Sequence, residues 1–317
     1  MALAPVLSAR TVAGDARRRE GRDAVCIPAL SASTPFFAGD RMRRGRRRRR
    51  RRRGGGGGEI SPDDIAGKRV LVTAAGSGIG ATIAARFAAA GARVFVCDAD
   101  GGALAAYLDG HSAIGGVRAD VAAPDDVSRF VDAGIAYLGG VDVLVSNAGV
   151  AGPVAPVEEM DVEGWRRTLD VNLTGAFLCV RAVVPHLKAA GGGSIVVMSS
   201  NAGTMGLPFR APYVATKWGL IGFVKTLAME LGPHRIRANA ICPGDVEGER
   251  IRRVIRLEAE SRGMEYEDVF AERVGAVSLR TMVTADDVAD LILFVSSAAG
   301  AKVSGQALLI DGNAERA

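Results

Sequence analysis

Two hydrophobic rhythms alternate along most of the chain. Short apolar, β-branched runs read as buried strands, and longer stretches with apolar residues three and four apart read as helices. Structure is expected to begin near Ile60. Strands are read at 68–73 (KRVLVT), 93–97 (RVFVC), 117–121, 141–146 (VDVLVS), 194–199 (SIVVMS), 237–241 (RANAI) and 307–310 (ALLI). Between them lie helical patterns at 79–90, 124–138, 162–190, 213–231 and 286–296, the long one irregular near Pro185. Residues 245–275 are charged and mostly helical in pattern. Strands that are continuous apolar runs and alternate with helices imply a parallel sheet covered on both faces. Right-handed crossovers make this an α/β, doubly wound, Rossmann-type sheet, expected as a single domain over 59–317.

Composition changes the picture at the N-terminus. The net charge of +5 hides a split: residues 1–58 hold sixteen Arg against four acids, a net +12, and residues 59–317 hold 24 basic against 31 acidic residues, a net −7. The body is therefore acidic, which argues against broad nucleic-acid binding. Residues 41–53 (RMRRGRRRRRRRR) precede five glycines, Gly54 to Gly58, a low-complexity tail that self-repulsion keeps solvated. Three readings of this tail stand open: a translated upstream segment outside the working protein, an Arg-rich transit peptide, or a nucleic-acid-binding arm. The first forty residues lack the pattern of a secretory signal. No run reaches the ~18 uninterrupted apolar residues of a membrane span. Cys26, Cys97, Cys179 and Cys242 are scattered, which suits free thiols in a reducing compartment, and His111, His186 and His234 show no metal-ligand spacing. A cytoplasmic location without a metal is the expectation, organellar transit being the other possibility.

The candidate chemistry starts at the first strand-to-helix turn, Thr73-Ala74-Ala75-Gly76-Ser77-Gly78-Ile79-Gly80. Glycines there let backbone approach a pyrophosphate, and the helix N-terminus offers free N–H groups. Asp98 closes the second strand, eighteen residues after Gly80. An acid at that place accepts from ribose hydroxyls and repels a 2′-phosphate, so NAD is expected over NADP. Asp100 adds charge, and no Arg or Lys lies between Asp98 and Tyr107.

Tyr213 and Lys217 stand four apart, on one face if Tyr213 opens a helix, as the preceding Pro212 suggests. A cation beside a phenol favours the phenolate, and lowering its pKa towards working pH is what general base catalysis requires. Ser200 follows a buried strand thirteen residues before Tyr213. Asn147-Ala148-Gly149 follows another, and Asn172 is an uncharged polar residue in an apolar helix that needs a hydrogen-bond partner.

With these residues in this order the chain resembles the short-chain dehydrogenase/reductase family. The likeness extends over about 64–313 and includes Asp120-Val121, Pro243-Gly244 and the segment from Gly305 to Gly312. It implies a seven-stranded parallel sheet of order 3-2-1-4-5-6-7 and a tetrad of Asn172, Ser200, Tyr213 and Lys217. In that reading Tyr213 takes the proton of a substrate hydroxyl, Ser200 holds the reacting oxygen, and Lys217 binds the nicotinamide ribose and lowers the Tyr213 pKa. Asn172 orders a water that relays the proton. Asp120 meets adenine with Val121 beside it, Asn147 to Gly149 line the cofactor, and Val246 faces the carboxamide through its backbone. Two departures stand out. Ala74 replaces the family's first glycine, so a reshaped turn is expected. The stretch after Pro243-Gly244 has no threonine for the carboxamide.

The resemblance implies a lid at 245–275, and its charged residues (Glu247, Glu249, Arg250, Arg252, Arg253 and Arg256) suggest a small polar substrate, a sugar, polyol or hydroxy acid, unless they are a solvated helix face. Arg210 is the first candidate for a carboxylate, with Asn201 and Met205 near it. Helices 162–190 and 213–231 are apolar on more than one face, which points to a homodimer or homotetramer. The alternatives are a 3-oxoacyl-type ketoreductase using NADPH, a non-catalytic Rossmann-type binding protein, and an Arg-tailed nucleic-acid binder.

Overall fold

The computed structural model describes residues 64–314, so the readings of the tail at 1–58 lie outside the described residues. The first crossover is β1 (Arg69–Thr73), α1 (Gly78–Ala89) and β2 (Arg93–Asp98). Next come α2 (Gly101–Asp109), β3 (Gly115–Arg118), α3 (Pro124–Leu138) and β4 (Val143–Ser146). α4 (Val162–Leu169) passes through a π-helical turn, Asp170–Thr174, into α5 (Gly175–Ala190). β5 (Gly193–Met198), α6 (Ala211–Leu231) and β6 (Ile236–Pro243) follow. The chain ends with α7 (Glu249–Arg262), α8 (Tyr266–Gly275), α9 (Ala285–Ser296) and β7 (Ala307–Ile310). Seven strands pair in parallel in the order β3-β2-β1-β4-β5-β6-β7, the doubly wound sheet expected.

The period of two along each strand divides the core. On β1, Leu71 joins Phe130 and Val131 of α3, Cys179 and Val183 of α5, and Leu220 and Val224 of α6. Its neighbours Val70 and Val72 point the other way, to Ile83 and Phe87 of α1 and Val288 and Ile292 of α9. A third, small cluster (Ile255, Ala259, Val269 and Met282) gives α7 and α8 a core of their own.

Three elements differ from the sequence reading. β3 lies earlier than 117–121, because its first half is glycine. A Cβ on Gly115 would meet Phe95 at 2.8 Å and Tyr137 at 2.9 Å, so the crowding that excludes a side chain hides the strand from pattern reading. α2 went unread because it opens on Gly101-Gly102; the Asp100 carboxylate caps it, accepting from the N–H groups of Gly102 at 2.9 Å and Ala103 at 3.0 Å. The irregularity of the long helix is the π-turn around Asn172, and Pro185 sits inside α5. Finally, the continuous helical run 162–190 is long and apolar enough to cross a membrane by length and composition (mean hydropathy 1.2), which a count of uninterrupted apolar residues overlooks. Here it packs Cys179, Val180, Val183 and Leu187 against the sheet as a core helix.

Candidate active site

The glycine turn sits where β1 hands over to α1, beside β4, at the point where the strand order reverses. Ala74 takes φ 53°, the left-handed conformation that the missing glycine would adopt, so the substituted residue absorbs strain and the turn is not reshaped by going elsewhere. Gly80 is required by space. A Cβ there would lie 2.0 Å from the Ala74 carbonyl oxygen and 2.6 Å from Asn147 Nδ2. Gly76 is similarly confined, 3.0 Å from Asp98 Oδ2 and from the backbone nitrogen of Leu104. Ser77 is the N-cap of α1 but makes no capping bond, and no acid lies in the first turn. The N–H groups around Gly78 and Ile79 therefore face outward as an anion cradle.

Asp98 is half-buried at the end of β2. Its carboxylate accepts from the N–H of Gly76 at 2.8 Å and of Asp100 at 2.9 Å, one bond per oxygen, so each oxygen retains a free lone pair. Asp100, whose charge adds to that of Asp98, is also the cap of α2. A cation that linear inspection missed stands beside them. Arg118, at the end of β3, donates Nε to the Ala99 carbonyl at 3.1 Å, brought there by the β2–β3 pairing. Asp120 accepts from Ala122 N–H at 2.9 Å and pairs with Arg167 of α4 at 3.0 Å. Burial raises its pKa, but these bonds and the Arg167 charge outweigh it and hold the carboxyl below its ordinary value. Val121 is buried against Gly175 and belongs to the core.

The two strand ends are tied to each other. Thr73 Oγ1 accepts from the N–H groups of Asn147 at 2.9 Å and Ala148 at 3.1 Å. Asn147 Nδ2 in turn donates to the carbonyls of Thr73 at 3.1 Å and Ala74 at 3.0 Å. Asn147 thus braces the turn from behind, while exposed Gly149 lines the crevice. Asn172, widened out of register by the π-turn, is fully buried and locked to Val150. Its Oδ1 accepts from Val150 N–H at 2.7 Å, and its Nδ2 donates to Val150 O at 3.0 Å and Thr216 Oγ1 at 3.2 Å. Both amide donors are thereby occupied, so a relay water has only an acceptor lone pair of this amide to bind.

Tyr213 and Lys217 come together beside Ser200. Pro212 lies in the first turn of α6 and Tyr213 one residue on, with Lys217 one helical turn further. Lys217 is 4% exposed, donates to the Met198 carbonyl at 2.8 Å, and holds Nζ 5.5 Å from the Tyr213 ring centre. Burial raises the Tyr213 pKa, yet Lys217, a hydrogen bond from Ser200, and the charges of Arg250 and Arg210 together outweigh it, leaving the phenol below its ordinary value. Burial also pulls the Lys217 ammonium below its usual range, opposed by Tyr213.

On the far rim, Gly244 passes Asp311 too closely for a side chain, a Cβ falling 2.7 Å from Asp311 Cβ. Val246 forms an isolated parallel bridge with Val283, using Asp245 O and Glu247 N–H. Alternation along extended backbone turns Val246's own N–H and C=O to the opposite side, free to meet an amide. About half of the lid charges are paired within the lid. Arg273 pairs with Glu258 at 2.6 Å and Asp245 at 2.8 Å, Arg262 with Glu272 at 2.8 Å, and Arg252 with Glu249 at 2.8 Å. No group of three or more His, Cys, Asp or Glu among the described residues could hold a metal ion.

A sequence profile described as short chain dehydrogenase matches residues 68–258. The chain belongs to the short chain dehydrogenase family. Among curated relatives, it is 38% identical over 260 residues to the trans-4-hydroxycyclohexanecarboxylate dehydrogenase of Sinomonas cyclohexanicum, covering 79% of this chain and 93% of the relative. It is 38% identical over 250 residues to the D-threitol dehydrogenase of Mycolicibacterium smegmatis, covering 78% and 92%. Among solved structures, an NAD+-bound xylitol dehydrogenase superposes with a TM-score of 0.75 at 29% identity, over 78% of this chain and 99% of that one. As a short chain dehydrogenase, the protein carries the family's chemistry on CH–OH groups.

Proposed function

We propose that the protein oxidises a small polar secondary alcohol (a sugar, polyol or hydroxy acid) or reduces the matching ketone, with NAD as cofactor. The observation that carries this reading is the phenol of Tyr213, held below its ordinary pKa by buried Lys217 and by Ser200, with the Lys217 ammonium 5.5 Å from its ring centre. The named substrates of the similar dehydrogenases, a hydroxycyclohexanecarboxylate, threitol and xylitol, fall in the same range.

The residues fit NAD. Gly76, Ser77, Gly78, Ile79 and Gly80 form the turn and uncapped helix start suited to the pyrophosphate; a Cβ on Gly78 would meet no protein atom, so the backbone is open to a ligand there. Asp98 keeps lone pairs for ribose hydroxyls, and Asp120 and Val121 flank the adenine end. Asn147, Ala148, Gly149, Pro243, Gly244 and the free backbone of Val246 serve the nicotinamide end. When bound, NAD supplies the acceptor for the substrate's hydride. Tyr213 as phenolate takes the hydroxyl proton, and Ser200 donates to the reacting oxygen where charge develops. Lys217 holds the phenol acidic and reaches towards the ribose. Asn172 is a positioning residue, joining Val150 to Thr216 across the site.

Phe177 of α5 and Trp218 of α6 remain 47% and 52% exposed, which supports a homodimer or homotetramer formed through these helices. Buried free thiols at Cys97, Cys179 and Cys242 suit a reducing compartment such as the cytoplasm. The test is Tyr213→Phe. Turnover of secondary alcohols, followed by NADH absorbance, should fall about 10²- to 10⁴-fold with NADH affinity nearly unchanged. Substantial residual activity would remove Tyr213 from its role.

A further inference from the structure

We propose that the substrate is a hydroxy acid, whose carboxylate is held by Arg210 and Arg250 while its secondary hydroxyl meets Tyr213 and Ser200. This deepens the dehydrogenase reading and rests on it. Arg210 occupies the N-cap of α6, three residues before Tyr213, where a cation opposes the positive end of the helix and caps nothing. Its guanidinium nevertheless lies against the site, Cζ 5.1 Å from the Tyr213 ring centre. Of its five N–H donors, one is accounted for, Nη2 donating to the Ala151 carbonyl at 3.1 Å. Nε is buried with no partner. Such a group is costly to leave unmatched, and its planar fork suits a carboxylate.

The backbone holds the side chain in this place. Phe209, immediately before it, takes φ 63°, a strained conformation for an aromatic residue, and its carbonyl accepts from Ala155 N–H at 3.1 Å. The 150–155 segment therefore grips both Phe209 and Arg210. A second cation comes from the lid. Arg250, in the first turn of α7, acts electrostatically on Tyr213, Lys217 and Arg210 alike. Arg252, Arg262 and Arg273 of the lid helices each hold a carboxylate; Arg250, like Arg253 and Arg256, makes no ion pair among the described residues, and neither does Arg210. Arg210 and Lys217 thus lie against the phenol ring, 5.1 and 5.5 Å from its centre, and Arg250 adds a third positive charge acting on the same group, an excess of positive charge. A neutral sugar or polyol leaves that imbalance in place, and a substrate carboxylate cancels it. The reaction balances as for any secondary alcohol. The carbinol hydride passes to NAD, the hydroxyl proton goes to Tyr213, and the product is the oxo acid with its carboxylate unchanged.

The test is a panel of straight-chain β-, γ- and δ-hydroxy acids, each assayed with NAD beside its own primary amide. The preferred acid should exceed its amide in kcat/KM roughly 10- to 100-fold, the range of a charge-assisted hydrogen-bonded pair. Arg210→Gln and Arg250→Gln should each reduce this ratio, and Arg210→Lys should restore part of it. Calorimetric titration with pentanoate and pentanamide should show the same preference in the wild type and its loss in Arg210→Gln, with melting curves confirming the fold. Amides used as well as their acids throughout, or a ratio unmoved in both glutamine variants, would overturn the carboxylate assignment while the dehydrogenase reading stands. Turnover of neither acids nor amides, nor of any sugar or polyol, would overturn both.

Discussion

The adenosine half of the crevice and the substrate half are stabilised in different ways. Around the glycine turn, the contacts are backbone bonds and close approaches: Asp98 to Gly76, Asn147 to Thr73 and Ala74, Gly80 against Ala74. Little can move there without a clash. On the substrate side, Tyr213 responds to charges on α6, on the preceding loop and on α7, and α8 is joined to the 245–247 segment by one ion pair, Arg273 with Asp245. A partly exposed pair of that kind contributes little. The difference teaches where tolerance lies. The half that holds an invariant dinucleotide is sterically determined, and the half that meets a variable substrate is electrostatically tuned.

Lys217→Met tests the tuned half and should have the largest effect. Removing the cation raises the Tyr213 pKa. Because alcohol oxidation uses deprotonated Tyr213, the rising limb of its pH–rate profile should move to higher pH, with a loss of about 10²-fold or more in kcat near neutrality. An unmoved limb would mean that Lys217 does not set the phenol's acidity. Gly80→Ala tests the steric half. The added methyl forces the Ala74 carbonyl and Asn147 apart, so stability should fall by about 1–3 kcal/mol and NADH should bind more weakly, as thermal melting and fluorescence titration would register.

Asp98→Ala lies between the two regimes. It removes the acid that disfavours a 2′-phosphate and leaves Arg118 beside Ala99 to receive one. The ratio of kcat/KM for NADP over NAD should rise about 10-fold. The double variant with Arg118→Ala should lose part of that gain; equal ratios in single and double variants would leave Arg118 without a role. The smallest effect is expected from Ala74→Gly. A left-handed alanine replaced by glycine should stabilise the protein by about 1 kcal/mol, visible as a higher Tm. A lower Tm would show that the turn does not carry the strain described.

Much of this was legible in linear form because the elements concerned are local. The order of strands and helices, the glycine turn with Asp98 one crossover later, and the Tyr213–Lys217 pair depend on periodicity and spacing within single elements. The readings that failed involve competition from elsewhere in the fold. Gly115 and Gly116 form a strand because Phe95, Tyr137 and Val96 occupy the space their side chains would need. Asn172 lies in a π-turn because Val150, on a distant loop, takes up its amide.

The sequence by itself determined the doubly wound architecture and the chemistry of proton and hydride transfer, since both are encoded in apolar period and in short, ordered motifs. Only the tertiary structure decided which charges act. Asp100 became a helix cap, Arg252, Arg262 and Arg273 paired with lid acids, and strand pairing brought Arg118 beside Ala99. Electrostatic interaction depends on distance through space and on burial, and residue spacing along the chain specifies neither.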